Sequence, residues 1–195
     1  MSTLKVSTIS PLGTDATKTI TLGESAGILQ PATGVTNNLG ISVADQFRLS
    51  ATLTSDGSDG FLTSNLERVD SAGQGTLGTG MSESAGVFTF PSTGIYLVRL
   101  FCNAQALDGN ETAIHMDINV TTNNSTYTSR ARNQQGNRSG NHTNVALSTE
   151  TLVDVTDTSQ VKVKIGYGSL NNNNTLVGDT DQNRTFITFI RLGDT

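Results

Sequence analysis

Side chains able to do acid–base, nucleophilic or metal chemistry are few in this 195-residue chain: two histidines, His115 and His142, and a single cysteine, Cys102. His115 falls among residues that alternate with Ile114, Met116, Ile118 and Val120, and His142 sits in a Gly/Asn-rich stretch. Neither has a Gly-x-Ser-x-Gly elbow or a second basic or thiol partner beside it, and no P-loop or His-Glu-x-x-His run is present. Both are therefore read as solvated surface histidines. Cys102 ends the apolar run Ile95–Cys102, where a buried thiol behaves as a small hydrophobe. One cysteine permits neither an intrachain disulfide nor metal-ligand spacing. Asp179-Thr180-Asp181-Gln182-Asn183 opens like a calcium loop, but Arg184 stands where the loop needs Gly and Ile190 where it needs Glu. Asp154, Asp157 and Asp179 remain either donors to a calcium site built from separate loops or carboxylates that cap turns. No catalytic, cofactor-binding or metal residue is assigned, and the expectation is a protein that is not an enzyme.

Binding surfaces are expected in the polar stretches. Asp108–Glu111, Asn133–Asn144 and Gly168–Asp181 are rich in Gly and Asn and read as exposed loops, where recognition of a glycan would reside. Tyr127 and Tyr167 are candidate stacking partners or plain structural residues. Arg130, Arg132 and Arg138 gather in one stretch and read as loop solvation. A net charge of -5 opposes non-specific nucleic-acid binding, which needs clustered Lys and Arg to displace phosphate counterions. Sequons at Asn110, Asn119, Asn137 and Asn183 are what chance gives in a chain this rich in Asn and Thr.

The elements that must position these residues follow from composition and period. Charged residues make up only 15% of the chain, against about 25% in a typical domain, so Ser, Thr, Asn and Gly carry its solubility. Such residues favour turns and sheet edges over helix interiors. No stretch approaches 18 apolar residues and the first ten residues lack a signal-peptide pattern, so neither a membrane span nor secretion is expected. Strand signals recur at Phe47–Leu53, Gly60–Leu62, Gly86–Pro91, Gly94–Phe101, Ile114–Thr121, Val161–Tyr167 and Thr185–Leu192. Many short strands and no amphipathic helix predict an antiparallel sandwich.

Two of these strands are apolar on both sides. Phe186, Thr188, Ile190 and Leu192 share one face, with Ile187 and Phe189 on the other. Ile95, Leu97 and Phe101 oppose Tyr96, Val98 and Leu100 in the same way. An isolated sandwich has a polar outer face. Either a second copy of the chain or the N-terminal segment must cover it. Residues 1–41 form that segment: they carry two short alternating runs, Leu4, Val6, Ile9 and then Ile20, Leu22, and their first forty residues hold no aromatic side chain. So little apolar bulk builds no core of its own, and the segment reads as an extended attachment arm ahead of a body spanning 42–195.

Gly86-Val87-Phe88-Thr89-Phe90-Pro91-Ser92-Thr93-Gly94-Ile95-Tyr96 resembles the central signature of C1q/TNF-like domains. Ala146-Leu147-Ser148, Leu152–Val155, Val161–Ile165 and the closing Thr185–Ile190 follow in that family's order, although its usual Phe-x-Gly near the last strand is missing. The resemblance implies an all-β antiparallel jelly-roll sandwich that assembles as a homotrimer. Phe88, Phe90, Tyr96, Phe101, Phe186, Ile187 and Phe189 are the residues expected in its core and trimer interface. Ser2–Ile9 with Ile20-Thr21-Leu22-Gly23 is similar to the opening of virion and fibre proteins of tailed phages. Together these imply a structural protein at the virion surface. It would be either a capsid decoration (cement) protein whose arm binds the major capsid protein, or a short tail fibre or tail-tip knob that joins tail proteins and binds a host-surface glycan or receptor.

Overall fold

Alternating apolar side chains build strands wherever two sheets can pinch them. In a computed structural model, which describes residues 40–106, 111–137 and 143–195, every ladder is antiparallel. The strands are β1 (Ala44–Leu49), β2 (Leu53–Thr54), β3 (Gly60–Phe61), β4 (Leu66–Arg68), β5 (Ser82–Ser84), β6 (Val87–Thr89), β7 (Gly94–Ala106), β8 (Glu111–Thr121), β9 (Thr128–Asn137), β10 (Thr143–Val155), β11 (Lys162–Gly168), β12 (Thr175–Leu176) and β13 (Phe186–Gly193). No helix among the described residues is long and apolar enough to cross a membrane. The expected arm residues Leu4, Val6, Ile9, Ile20 and Leu22 lie outside the described residues.

One sheet, called A, runs β2-β12-β7-β13-β1-β4 with β10 along the free side of β7. The other, B, runs β5-β6-β11-β8-β9 with β3 beside the far end of β11. Their inner faces share a core in which Phe47, Phe88, Phe189, Phe90 and Tyr96 form a continuous chain of ring contacts, with centroids 4.6–6.1 Å apart. Offset and edge-on pairs of this kind add about 0.5–1.5 kcal/mol each beyond their burial. Tyr96 also satisfies its hydroxyl by donating to the Ser92 carbonyl at 3.1 Å. That bond ties the turn between β6 and β7 to the start of β7. Gly94 enters β7 at φ +137°, where an added Cβ would lie 2.4 Å from the Gly193 carbonyl oxygen. The Gly-x-Tyr pair therefore lets two backbones meet and anchors the turn behind them.

Several stretches differ from expectation. Thr128–Asn137 is a strand rather than a loop, so Arg130 and Arg132 project from β9 and Asn133 belongs to it. Its only inward-facing hydrophobe packed on the core is Ala131, so no apolar alternation announces it. The Asn133 side chain donates to the Ser148 carbonyl of β10 at 2.7 Å and joins the two sheets along that border. Phe47–Leu53 is broken after Leu49, because Ser50 turns to bond the Asn65 carbonyl. Gly168–Asp181 contains β12.

A buried carboxylate organises the long connection between β4 and β5. Asp45 faces inward from β1 with its side chain fully enclosed, and it accepts the Met81 N–H at 2.7 Å, the Thr76 hydroxyl at 3.1 Å and the Arg68 guanidinium at 3.1–3.2 Å. Arg68 donates onward to the Met81 carbonyl and lies over the Phe47 ring. On the opposite side of β1, the enclosed Arg48 guanidinium binds Glu67, Asp70, Ser71 and Gln74 at 2.7–3.1 Å. Removing the enclosed carboxylate would leave the buried Met81 N–H without its partner, while Arg68, 42% exposed, keeps water. Asp45→Ala is expected to lower unfolding free energy by about 2 kcal/mol, read as a shift of the urea midpoint at unchanged m-value; a change below about 0.5 kcal/mol would place the weight of that loop elsewhere.

Candidate functional site

The seven residues expected in core and interface separate cleanly. Phe88, Phe90, Tyr96, Ile187 and Phe189 are buried between the sheets, whereas Phe101 and Phe186 lie half-buried on the outer face of sheet A, stacked at 5.4 Å. Pairing register arranges that outer face in three rows crossing β10, β7, β13 and β1 in turn. One row is apolar: Leu152, Leu97, Ile190 and Ala44. The next is polar: Glu150, Arg99, Thr188 and Gln46. The third is Ser148, Phe101, Phe186 and Arg48. A cavity of about 400 Å³ lies over these rows, lined by Leu97, Phe101, Phe186 and Ile190 with Gln46, Arg99 and Thr188. Gln46 is held in place by donating to the Thr188 hydroxyl at 2.8 Å and accepting from Asn183 at 3.2 Å. Leu152 and Leu192 extend the apolar surface and are 63% and 50% exposed. Such a face suits a protein surface that is only partly desolvated in the lone chain.

Sheet B presents a different outer face. His115, Asp117 and Asn119 point outward from β8, yet all three are buried, against the expectation of a solvated histidine. The cause lies on the neighbouring strand. Gly168 pairs with His115 and Gly166 with Asp117, and without side chains there the polar groups fold down onto the sheet. Arg132 of β9 closes over them with a two-pronged pair to Asp117, Nε to Oδ1 at 2.6 Å and Nη2 to Oδ2 at 3.0 Å, while Ser129 donates to the same carboxylate at 2.7 Å. His115 Nε2 stands 3.5 Å from Asp117. A cavity of about 260 Å³ opens here, rimmed by Asp59, Phe61 and Tyr167. Phe61 and Tyr127 flank the Lys164 amine, which lies 5.2 and 4.5 Å from their ring centroids. Burial, then the carboxylates of Asp56 and Asp59, hold the Tyr167 hydroxyl above its usual pKa. The sequence flagged Tyr127 and Tyr167 but not their convergence with β8 and β9, because β9 carries no apolar pattern.

The remaining candidates resolve simply. Asp179 accepts the N–H groups of Asp181 and Gln182, and Asp157 those of Ser159 and its hydroxyl, so each caps its own turn, and these bonds hold both carboxyls below the usual range. Among the described residues no group of three or more His, Cys, Asp and Glu side chains is placed to hold a metal ion. The sequon at Asn119 is buried. Arg138, His142 and Asn110 lie outside the described residues.

No family model matches the sequence, and no curated protein matches it. Solved structures do. Eiger TNF from S. frugiperda superposes with a TM-score of 0.56 at 12% identity, covering 80% of this chain and 95% of that one. Murine APRIL gives 0.55 at 10% identity, covering 77% of this chain and 98% of the other. At such identity the likeness is one of fold. The body has the TNF-like jelly roll that its Gly86–Tyr96 segment resembles.

Cys102 is fully buried in the core, where desolvation pushes its thiol up to about 12 although the Thr185 hydroxyl lies 3.8 Å away. Only the thiolate reacts, and at pH 8 that form is about one part in ten thousand. Iodoacetamide at pH 8 is expected to leave the native protein unmodified and to alkylate the urea-unfolded chain completely; rapid modification of the native protein would mean that the sheets open at β7.

Proposed function

We propose that this chain is a non-enzymatic, trimer-forming structural protein of a tailed-phage particle, a capsid decoration (cement) protein that residues 1–41 anchor to the major capsid protein at the virion surface. The observation that carries the assembly part is the outer face of sheet A. Leu97, Phe101, Phe186 and Ile190 are held in register there, half-buried, with nothing among the described residues to cover them. Copies of the same face, packed around an axis, would complete that burial and bring the polar row of Glu150, Arg99 and Thr188 against its counterparts. The particle assignment draws on the phage-like opening of the sequence and on an arm too poor in apolar bulk to fold alone. The cavity on sheet B favours a second reading, a short fibre or tail-tip knob that touches a host-surface glycan, since decoration requires no small polar site.

Assembly is tested by light scattering after size exclusion. The wild type is expected at three times the chain mass, and Leu97→Asp with Phe101→Asp at one. A monomeric wild type would refute the interface. Copy number in purified particles separates the two placements: hundreds per virion for decoration, a few in multiples of three for a fibre. Deleting residues 1–41 is expected to leave the trimer intact and abolish attachment to particles; loss of the trimer would show that the arm also holds the subunits together.

A further inference from the structure

The recess on the outer face of sheet B has features that neither self-association nor anchoring requires. Sheet faces exposed to water carry extended polar side chains, but here three consecutive outward positions, His115, Asp117 and Asn119, are folded flat and enclosed. His115 and Asp117 side chains retain only 9% and 6% of their exposure. Keeping them there takes two glycines as a floor, a two-pronged arginine and the β3 turn as a wall. Buried polar groups held in such detail are costly unless satisfied, and their preorganisation is what a polar ligand site needs.

We infer that this recess binds a neutral saccharide, taking one pyranose ring or the terminal residue of a longer glycan. Its volume of about 260 Å³ sits just below the roughly 300–1,000 Å³ typical of drug-sized ligands, which suits a single small ring. Both hydrogen-bond donors and acceptors line it, as a sugar's hydroxyls require. Asp59 uses Oδ1 to accept the Ser169 N–H at 2.7 Å, leaving Oδ2 outside that bond. Arg132 commits Nε and Nη2 to Asp117, leaving Nη1 outside that pair. The Asn119 carboxamide lies across Gly166. Phe61, 39% exposed at the rim, supplies an apolar face for the C–H side of a sugar ring. Charge does not favour anions: two carboxylates, Asp59 and Asp117, line the recess, Arg132 is already paired with one of them, and the Lys164 amine beside the rim is engaged by the Phe61 and Tyr127 rings. This inference concerns sheet B alone and stands whether the particle carries the protein on its shell or its tail, and whatever its oligomeric state.

The test is saturation-transfer NMR on the full-length protein with methyl glycosides of glucose, galactose, mannose and N-acetylglucosamine, using N-acetylneuraminic acid and inorganic phosphate as anionic probes. At least one neutral glycoside is expected to receive saturation on its ring protons, with a Kd on the order of 1 mM. Asp59→Asn is expected to weaken it about tenfold, the loss of one hydrogen bond to a charged group. Phe61→Ala is expected to abolish transfer to the ring C–H protons. Both positions are exposed, so both variants keep the wild-type melting temperature within a few degrees, which is checked alongside. Absence of transfer to every neutral glycoside, stronger binding of either anion, or binding unchanged in both variants would overturn the assignment.

Discussion

Everything in this fold hangs on a short chain of aromatic contacts between two sheets. The sequence spends only seven phenylalanines and three tyrosines and has no tryptophan. Half of those rings, Phe47, Phe88, Phe189, Phe90 and Tyr96, lie in one line across the middle of the sandwich. Aliphatic side chains fill the space around it, but these are the bulky groups that set the separation of the sheets. Both outer faces follow from that line. Because Tyr96 and Phe189 must point inward, Leu97, Phe101, Phe186 and Ile190 must point outward from the same strands.

The two outer faces then diverge for reasons readable in single residues. On sheet A every outward position of β7 and β13 bears a side chain of some size, so its apolar rows stay near the surface, around a cavity of about 400 Å³. On sheet B the two glycines of β11 remove side chains where the polar residues of β8 can sink. One outer face therefore presents apolar rows, the other enclosed polar groups. Around β1 a third arrangement appears: Asp45 and Arg48 on its two sides use buried charge to fasten the long polar connection that lacks hydrophobes to fasten itself.

How far the sequence could be read depends on what kind of signal each element left. Strands under the core line, β7, β11 and β13, were legible from period two alone, and so was the two-sided character of β7 and β13. The turn at Gly86–Tyr96 was legible by resemblance, and its structural reason is the Tyr96–Ser92 bond together with a backbone approach at Gly94. β9 was not legible, because an edge strand of Arg, Asn and Gln satisfies its backbone through pairing while burying almost nothing. His115 was misread for a related reason. Alternation predicts which face a residue takes, but its exposure depended on Gly166 and Gly168, some fifty positions away in sequence and adjacent only across the ladder.

Those two glycines also set how readily this surface can change over evolutionary time. Neither needs a left-handed backbone, but a methyl group added at either would press on the enclosed polar cluster, the Asn119 amide and Asp117 Cβ at Gly166 and His115 and Asp59 at Gly168, so that the cluster itself would have to shift. The hydrophobic interior would not register the change. A lineage can therefore fill, reshape or reopen the recess by one codon while the sandwich and its apolar rows stay as they are. Variation confined to this patch, on an otherwise constant body, is the pattern such an architecture allows.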